Sequence, residues 1–161
     1  MKTLILMRHG KSSWDLPVSD IDRALNERGV NDAHLVASEF IKTNLTIDAL
    51  YSSPANRALH TSMIMLRSLD FPFSKFQIIK DLYDFSGESV MSFVKELNND
   101  LNTVMIFGHN HAFTEIATTW GNYYIGNVPT AGLVKMNFDI DNWSEISKGK
   151  IETTIFPKQL K

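Results

Sequence analysis

The sequence predicts an α/β fold with a mostly parallel sheet and helices on both of its faces. Two continuous apolar runs, at residues 4–7 and 103–107, are typical of strands buried on both faces of a parallel sheet. Segments with helical periodicity alternate with these and other short strands, which is the order of elements in a layered α/β domain. Near the end, 133–138 alternates between apolar and polar residues, and 151–156 is its expected antiparallel partner.

Each predicted element has a local signal. A polar stretch from residue 11 to residue 25 contains Pro17 and shows no periodicity, which predicts a long functional or mobile loop. Asn26 is the expected N-cap of the first helix, and Pro54 suits the first turn of the second. In chain order, the predicted strands span 4–7, 48–52, 76–79, 103–107, 133–138 and 151–156, and the predicted helices span 26–43, 54–69, 86–98 and 112–120.

Composition limits the class of protein. The 161 residues favour one domain over residues 1–161, and 43% hydrophobic with 21% charged residues excludes a disordered chain. A formal charge of -2 offers no basic excess for a dedicated nucleic-acid binder, and zero cysteines exclude disulfides, thiolate metal sites and a cysteine nucleophile. No apolar run approaches the roughly 18 residues of a membrane span, and the first residues lack a leader pattern. We therefore expect a cytoplasmic protein that does not engage a membrane.

Charged and imidazole side chains follow three of the predicted strands. Arg8 and His9 come directly after the first strand, Arg57 follows the second, and His109 follows the strand at 103–107. Because ligands bind beyond the carboxyl ends of the strands in open α/β sheets, we expect these side chains to meet at one edge. Each also has a plainer interpretation, as a capped strand end, a surface helix residue or a hydrogen-bonded turn. Their common placement favours one shared site.

Two arginines and two histidines at one edge favour phosphoryl chemistry. Guanidinium groups hold the oxygens of a tetrahedral phosphoryl group through paired, charge-assisted hydrogen bonds. Nearby cations also disfavour protonation of an imidazole, and a neutral histidine can attack phosphorus to give a covalent phosphohistidine that water later cleaves. A second imidazole can donate to the equatorial oxygens in the transition state.

Two competing motifs fit less well. Gly10-Lys11-Ser12 resembles the end of a phosphate-binding P-loop, but that motif requires glycine where this chain has Ile5. His109 and His111, with His9 as a third ligand, are a candidate metal set. Zinc sites usually recruit carboxylates or cysteines nearby, and two arginines would repel a cation. We therefore predict no metal and no cofactor.

Several segments together resemble the histidine phosphatase superfamily, with its phosphoglycerate mutase-like fold, and most closely its short SixA-type branch of phosphohistidine phosphatases. The resemblance spans nearly the whole chain. Arg-His-Gly alone is a weak motif, but the ordered set of segments is highly specific. In chain order, these segments are Arg8-His9-Gly10-Lys11-Ser12-Ser13-Trp14, 22–29, 52–58, Gly108-His109-Asn110 and 129–132.

The resemblance implies a catalytic set. His9 would be the nucleophile, Arg8 and Arg57 would bind the phosphoryl oxygens, and His109 would complete the pocket. The family's usual glutamine, one turn after the second arginine, appears here as His60. This departure would alter a supporting hydrogen bond.

The resemblance also implies residues around the substrate. Arg23 matches a basic position near the phosphate, with an ion pair to Asp20 or Asp22 as the alternative. The other predicted substrate-binding positions are Ser12 and Ser13, with Trp14, at the pocket mouth, and the backbone around Thr130.

A general acid is missing from its expected place. Mutase-type relatives protonate an alkoxide leaving group with Glu or Asp, whereas Tyr83 occupies that position here, and the nearest carboxylates are Asp84 and Glu88. An imidazole leaves from phosphohistidine far more readily than an alkoxide leaves from an ester, so it depends less on such an acid. The hypothesis is a phosphatase acting on phosphohistidine in a partner protein, such as a phosphotransfer domain or phosphocarrier. The alternatives are a phosphomonoesterase for small phosphate esters, with Asp84 or Glu88 as acid, and a silent phosphate- or phosphoprotein-binding module.

Overall fold

The computed structural model describes residues 1–161 as a six-stranded sheet covered by four α-helices. The strands are β1 (Lys2–Arg8), β2 (Ala49–Ser52), β3 (Phe76–Ile78), β4 (Thr103–Gly108), β5 (Leu133–Phe138) and β6 (Lys150–Ile155), and the helices are α1 (Glu27–Phe40), α2 (Asn56–Leu69), α3 (Glu88–Lys95) and α4 (Ala112–Trp120).

The sheet has the strand order β3-β2-β4-β1-β5-β6. β1 runs parallel to β4, and β2 runs parallel to both β3 and β4, so the first four strands share one direction. β5 is antiparallel to β1 and to β6. The predicted mostly parallel sheet with an antiparallel C-terminal pair is therefore confirmed.

Alternate residues of β1 are buried on opposite faces of the sheet, because side chains alternate along a strand. Leu4 and Leu6 pack in a core with α3 and α4, whereas Ile5 and Met7 pack in a second core with α1 and α2. All four side chains are fully buried, which explains why the run shows no polar alternation. The prediction of helices on both faces is confirmed.

Some element boundaries differ from those predicted. α1 ends at Phe40, and a short 3-10 turn continues to Thr43 before Asn44 adopts a left-handed conformation at φ 55°. α3 ends at Lys95, short of the predicted residue 98, and the Asn98 side chain instead accepts a hydrogen bond from the Asp100 amide.

Pro54 lies outside α2, which was predicted to include it. The helix begins at Asn56, and Ala55, the N-cap residue, has extended backbone. The Ser53 hydroxyl accepts a hydrogen bond from the Ala55 amide at 3.2 Å and holds this connection in a turn before the helix starts. Ser53 is thereby placed next to the end of β4.

The long polar segment after β1 is ordered by a few contacts. It contains a single short helical turn of the 3-10 type, Asp20–Asp22, and an isolated bridge between Ser12 and Leu25. The amide of Ser13 donates to the carbonyl of Ala24 at 2.8 Å. The segment therefore folds back on itself and brings residue 20 over the sheet edge where β1 and β4 end. None of the helices combines the length and the apolar character required to cross a membrane.

Candidate active site

The three predicted elements meet at the carboxyl ends of the parallel strands. His9 follows β1, His109 follows β4, and their ring centroids are 5.3 Å apart. Arg57, in the first turn of α2, places its Nε 3.4 Å from His9 Nε2. Its side chain is only 3% exposed, so Arg57 is not a surface residue of its helix. The structure thus brings together side chains that lie up to a hundred residues apart.

The hydrogen bonding of His9 defines which of its nitrogens carries the hydrogen and which carries the lone pair. Nδ1 lies 2.7 Å from the Gly10 carbonyl oxygen, which can only accept, so Nδ1 carries the hydrogen. The lone pair is therefore on Nε2, the atom that faces Arg57. Burial lowers the pKa of His9 to about 3, and the nearby His109, Arg57 and Arg8 lower it further against the opposing effect of the Gly10 hydrogen bond. His9 is thus a neutral imidazole with an available nucleophilic nitrogen near neutral pH.

His109 has the complementary arrangement. Its Nε2 lies 2.7 Å from the hydroxyl of Ser53, which accepts from the Ala55 amide and has no other acceptor for its own hydrogen. Ser53 therefore donates to Nε2, and Nδ1 of His109 carries the hydrogen. Burial, followed by the charge of Arg57, lowers the pKa of His109 to about 3. His109 is a neutral imidazole whose buried Nδ1 has no partner within the protein.

Arg8 contributes a second buried donor without a partner. Its Nη1 donates to the Val128 carbonyl at 2.9 Å, and its Nε has no hydrogen-bond partner. Arg8 pairs with Gly108 in the β1–β4 register, so its backbone lies beside the start of the His109 segment. Buried donors without partners cost about 1–3 kcal/mol each, which an anion bound between Arg8 and His109 would offset.

Asp20 is the residue of the site that sequence reasoning placed only as an ion-pair partner of Arg23. Its Oδ2 accepts from Arg57 Nη2 at 2.9 Å and from the Tyr83 hydroxyl at 2.5 Å, and its carbonyl oxygen accepts from Arg57 Nη1 at 2.5 Å. Burial raises the pKa of Asp20, but the hydrogen bonds from Tyr83 and Arg57 outweigh this and lower it to about 2. Asp20 is therefore an ionised carboxylate at the mouth of the site.

Arg23 takes the ion-pair arrangement that was the alternative to a phosphate contact. Its Nη1 lies 3.2 Å from Asp20 Oδ1, and its Nη2 donates to the hydroxyl of Ser12. The guanidinium carbon also lies 3.4 Å from the ring centroid of Trp14, which is three-quarters exposed. Arg23 thus contacts Asp20, and Asp20 in turn contacts Arg57.

Near Ser13 and Thr130, the contacts are local or involve the backbone. The Ser13 hydroxyl accepts from the Asp15 amide at 3.0 Å, and its carbonyl accepts from Arg23 Nε at 3.3 Å. Beside Thr130, the Ala131 amide donates to the His9 carbonyl at 2.9 Å. The segment around Thr130 therefore lies beside the backbone of His9.

Neither candidate acid, Asp84 or Glu88, is placed as a proton donor to the site. The Asp84 carboxylate accepts hydrogen bonds from the amides of Ser86, Gly87 and Val90 at 3.0–3.1 Å, which caps the start of α3. Burial opposes these hydrogen bonds, yet together they lower the pKa of Asp84, so the side chain is held as a carboxylate. Glu88 is exposed in the first turn of α3. Tyr83, by contrast, lies against His109, with ring centroids 5.3 Å apart.

A supporting contact to the His9 loop comes from Thr61, the residue after His60, which replaces the family's usual glutamine. The Thr61 hydroxyl accepts from the Gly10 amide at 3.0 Å and donates to the Arg57 carbonyl at 2.7 Å, whereas His60 is exposed. Spacing could have found it, because a residue four positions after Arg57 lies on the same helix face. The Thr61 hydroxyl thereby joins the loop of His9 to the helix of Arg57.

Close backbone packing sets the position of the loop that carries His9. A Cβ atom added to Gly10 would lie 2.6 Å from the Gly29 carbonyl oxygen, and one added to Gly29 would lie 2.1 Å from the Lys11 carbonyl oxygen. Side chains cannot be accommodated at these distances, so both positions require glycine. The first turn of α1 therefore packs directly on the residues that follow His9.

The candidate metal set is not assembled. His111 is exposed at the start of α4, away from the ring contact between His9 and His109. No group of three or more His, Cys, Asp or Glu side chains is arranged to hold a metal ion. The positive charge of the pocket comes from its arginines.

The fold and the site together define a class of protein. An α/β sheet presents a neutral histidine, a second imidazole and two arginines at the ends of its strands, where a tetrahedral anion can be bound and attacked. The family model for the histidine phosphatase superfamily (branch 1) matches residues 4–87. The chain therefore belongs to the histidine phosphatase superfamily, which confirms the resemblance found in its sequence.

Similar proteins occur in a plant and in a mycobacterium, and the fold is similar to that of a solved structure. An uncharacterised chloroplastic protein of Arabidopsis thaliana is 30% identical over 126 residues, covering 73% of this chain and 58% of that protein. An uncharacterised protein of Mycobacterium tuberculosis is 29% identical over 112 residues, covering 69% of this chain and 67% of that protein. The chain matches less than two thirds of the length of the plant relative. The structure of the protein histidine phosphatase SixA complexed with tungstate is similar in fold, with a TM-score of 0.84 and 20% identity over 99% of both chains.

Proposed function

We propose that this protein is a phosphatase that removes the phosphoryl group from a phosphorylated histidine on a partner protein, through a covalent intermediate on His9. The observation that carries the proposal is the unprotonated Nε2 of a neutral His9, which accepts a hydrogen bond from Arg57 Nε at 3.4 Å. Two buried donors without protein partners, Arg8 Nε and His109 Nδ1, lie in the same site. Together these groups supply a nucleophile and the donors for phosphoryl oxygens.

The reaction proceeds in two displacements. In the first, the lone pair of His9 Nε2 forms a bond to phosphorus while the bond between phosphorus and the substrate imidazole breaks, and that leaving nitrogen takes a proton from solvent. In the second, a water oxygen attacks phosphorus, the bond to His9 Nε2 breaks, and the water proton passes to solvent. Inorganic phosphate and free His9 are the products. The Arg57, Arg8 and His109 donors stabilise the charge on the phosphoryl oxygens in both transition states.

The state of the carboxylates supports an imidazole leaving group. Asp84 is occupied by the amides at the start of α3, and Glu88 is exposed. An alkoxide leaving group requires a positioned proton donor, whereas an imidazole leaves more readily. The fold similarity to a protein histidine phosphatase is consistent with this substrate class, and its bound tungstate is, like phosphate, a tetrahedral oxyanion.

The test compares wild type with His9→Ala on two substrates, a phosphotransfer protein phosphorylated on histidine and a small alkyl phosphate. We expect the wild type to prefer the phosphohistidine protein and His9→Ala to lose at least about a thousandfold in turnover, as expected for the loss of a nucleophile. His34→Ala, which removes an exposed histidine of α1, is the matched control and should retain activity. Mass spectrometry at alkaline pH should detect phosphate on His9 of the wild type.

Each alternative predicts a different result. A strong preference for the alkyl phosphate that is lost in Asp84→Asn would establish a small-molecule phosphomonoesterase. Binding of phosphate without turnover of any donor and without phosphate on His9 would establish a silent binding module. Activity retained in His9→Ala would require another nucleophile and would overturn the proposal.

A further inference from the structure

The Arg57 guanidinium donates hydrogen bonds both to His9, the proposed nucleophile, and to the carboxylate of Asp20. Nε and Nη2 form a fork whose N–H groups point to the same side. Nε lies 3.4 Å from His9 Nε2, and Nη2 donates to Asp20 Oδ2 at 2.9 Å. Asp20 therefore already accepts from the nitrogen that would supply the second donor of this fork to an anion on His9.

A phosphoryl group on His9 would need this same fork. Phosphorus bonded to His9 Nε2 places its oxygens beside the nitrogen that Arg57 Nε already approaches, and the paired donor for a second oxygen is Nη2. A phosphoryl oxygen and Asp20 Oδ2 would then lie against the same nitrogen, Nη2, and both groups are anions. Their like charges repel each other at this nitrogen.

The Asp20 carboxylate can leave Arg57 without unfolding its loop. Its other oxygen, Oδ1, lies 3.2 Å from Arg23 Nη1, and 46% of the side chain is exposed, so Oδ2 can turn toward solvent at the cost of its bonds from Arg57 and the Tyr83 hydroxyl. The Asp20 backbone also stays tied to the site, because its carbonyl accepts from Arg57 Nη1 at 2.5 Å. Arg23 therefore offers the displaced carboxylate a cationic partner in place of Arg57.

We propose that Asp20 is a specificity-determining residue that disfavours binding of free phosphate and small phosphate anions, because a phosphoryl group that binds Arg57 must overcome either the repulsion or the displacement of the Asp20 carboxylate. This inference rests on the proposed function, since it assumes that Arg57 binds the phosphoryl group. A protein substrate has additional contacts whose binding energy can offset the displacement, whereas free phosphate has none. Asp20 therefore disfavours inhibition by the product phosphate while leaving a protein-borne phosphoryl group accepted.

The test measures the Kd of inorganic phosphate by calorimetry for the wild type, Asp20→Asn and Asp22→Asn. Asparagine keeps the shape of Asp20 and removes its charge. We expect Asp20→Asn to bind phosphate about tenfold more tightly, a change of about 1.4 kcal/mol in binding free energy. Asp22→Asn is the matched control, because it removes the same charge two residues along the chain. The Asp22 side chain accepts a hydrogen bond only from the Ser19 hydroxyl. Its Kd should stay close to that of the wild type.

The results separate this inference from the proposed function. Phosphate binding that is detected only in Asp20→Asn would support the inference. It would be overturned by an unchanged or weaker affinity in Asp20→Asn, by equal tightening in Asp22→Asn, or by failure of all three proteins to bind phosphate while circular dichroism shows them folded. Activity retained in His9→Ala, together with tighter phosphate binding in Asp20→Asn, would overturn the covalent mechanism and leave the role of Asp20 standing.

A second measurement uses turnover. In Asp20→Asn, we expect KM for a small alkyl phosphate to fall by more than KM for a phosphohistidine protein, and inhibition by added phosphate to strengthen. A fall in kcat on both substrates with unchanged KM would instead identify Asp20 as a proton-transfer group and would contradict the specificity role.

Discussion

At the level of single residues, the chemistry depends on which nitrogen of each histidine carries its hydrogen. Gly10 fixes the hydrogen of His9 on Nδ1, and Ser53 fixes that of His109 on its Nδ1. One ring therefore presents a lone pair and the other presents a donor. This difference between two chemically identical side chains separates the proposed nucleophile from the proposed stabilising group.

Arg57→Ala is predicted to remove roughly 2–4 kcal/mol of transition-state stabilisation, which lowers kcat/KM on a phosphohistidine substrate by about 30-fold to about a thousandfold. The reason is that Arg57 is buried and its Nε approaches His9 Nε2, the proposed nucleophile. Steady-state kinetics on the purified variant provides the measurement. Arg67→Ala, an exposed arginine in the last turn of the same helix, serves as the control. Equal kinetics for Arg57→Ala and the wild type would remove Arg57 from the site.

The sequence predicted the residues that follow strands and missed the residues that arrive from loops. Arg57 and His109 were found because the carboxyl ends of parallel strands meet at one edge. Asp20 lies in a segment without periodicity, and its contact with Arg57 depends on how that segment folds back. No local pattern encodes that return, so the carboxylate was seen only as a neighbour of Arg23.

At the level of elements, α3 is attached to the site by its cap. The segment from β3 to α3 carries Tyr83 and Phe85, whose rings pack on His109 with centroid distances of 5.3 and 5.0 Å. Asp84 lies between them and accepts the amides that open the helix. Within this segment, Asp84 therefore caps the helix, and Tyr83 and Phe85 pack against His109.

Asp84→Asn is predicted to lower the free energy of unfolding by about 1 kcal/mol, because a neutral amide replaces a carboxylate that accepts several hydrogen bonds at a helix start. Urea unfolding followed by circular dichroism measures this change. Glu88→Gln, an exposed acid in the first turn of the same helix, should cost less. Turnover of phosphohistidine per folded molecule should be retained in Asp84→Asn. A loss of turnover far beyond the loss of folded protein would assign Asp84 a role in the chemistry.

The strands and helices themselves were predictable, and their ends were less so. Apolar runs and caps located every strand and α-helix, since burial on two faces and amphipathic periodicity leave clear patterns. The start of α2 was placed two residues early because proline favours a first turn, while the hydrogen bond from the Ala55 amide to Ser53 holds the preceding turn instead. Boundaries of this kind depend on side-chain hydrogen bonds that a pattern does not show.

At the level of the whole molecule, the buried histidines couple stability to pH. His9 and His109 have pKa values of about 3, against an ordinary value of 6.5. Between these values the unfolded chain binds protons that the native protein does not bind. Stability therefore falls as the pH falls through 6.5, and it is regained as the pH rises.

Between about pH 7.5 and about pH 5, we predict that each of the two histidines lowers the free energy of unfolding by about 2 kcal/mol. Urea unfolding at the two pH values gives the loss for the wild type. In His109→Asn the loss should shrink by about 2 kcal/mol, the share of one histidine. His34→Asn, at an exposed position, should show the full wild-type loss. An identical loss in His109→Asn and the wild type would contradict the prediction.

The place of β1 in the sheet has a consequence for how such a protein can diversify. β1 is bonded to β4 on one side and to β5 on the other, so His9 stands at the end of an interior strand. The opposite side of the pocket is formed by the segment that carries Asp20, whose bridge between Ser12 and Leu25 is a single isolated pairing. Substitutions in that segment can therefore change what fits beside His9, while His9 and His109 keep the separation that the β1–β4 pairing sets.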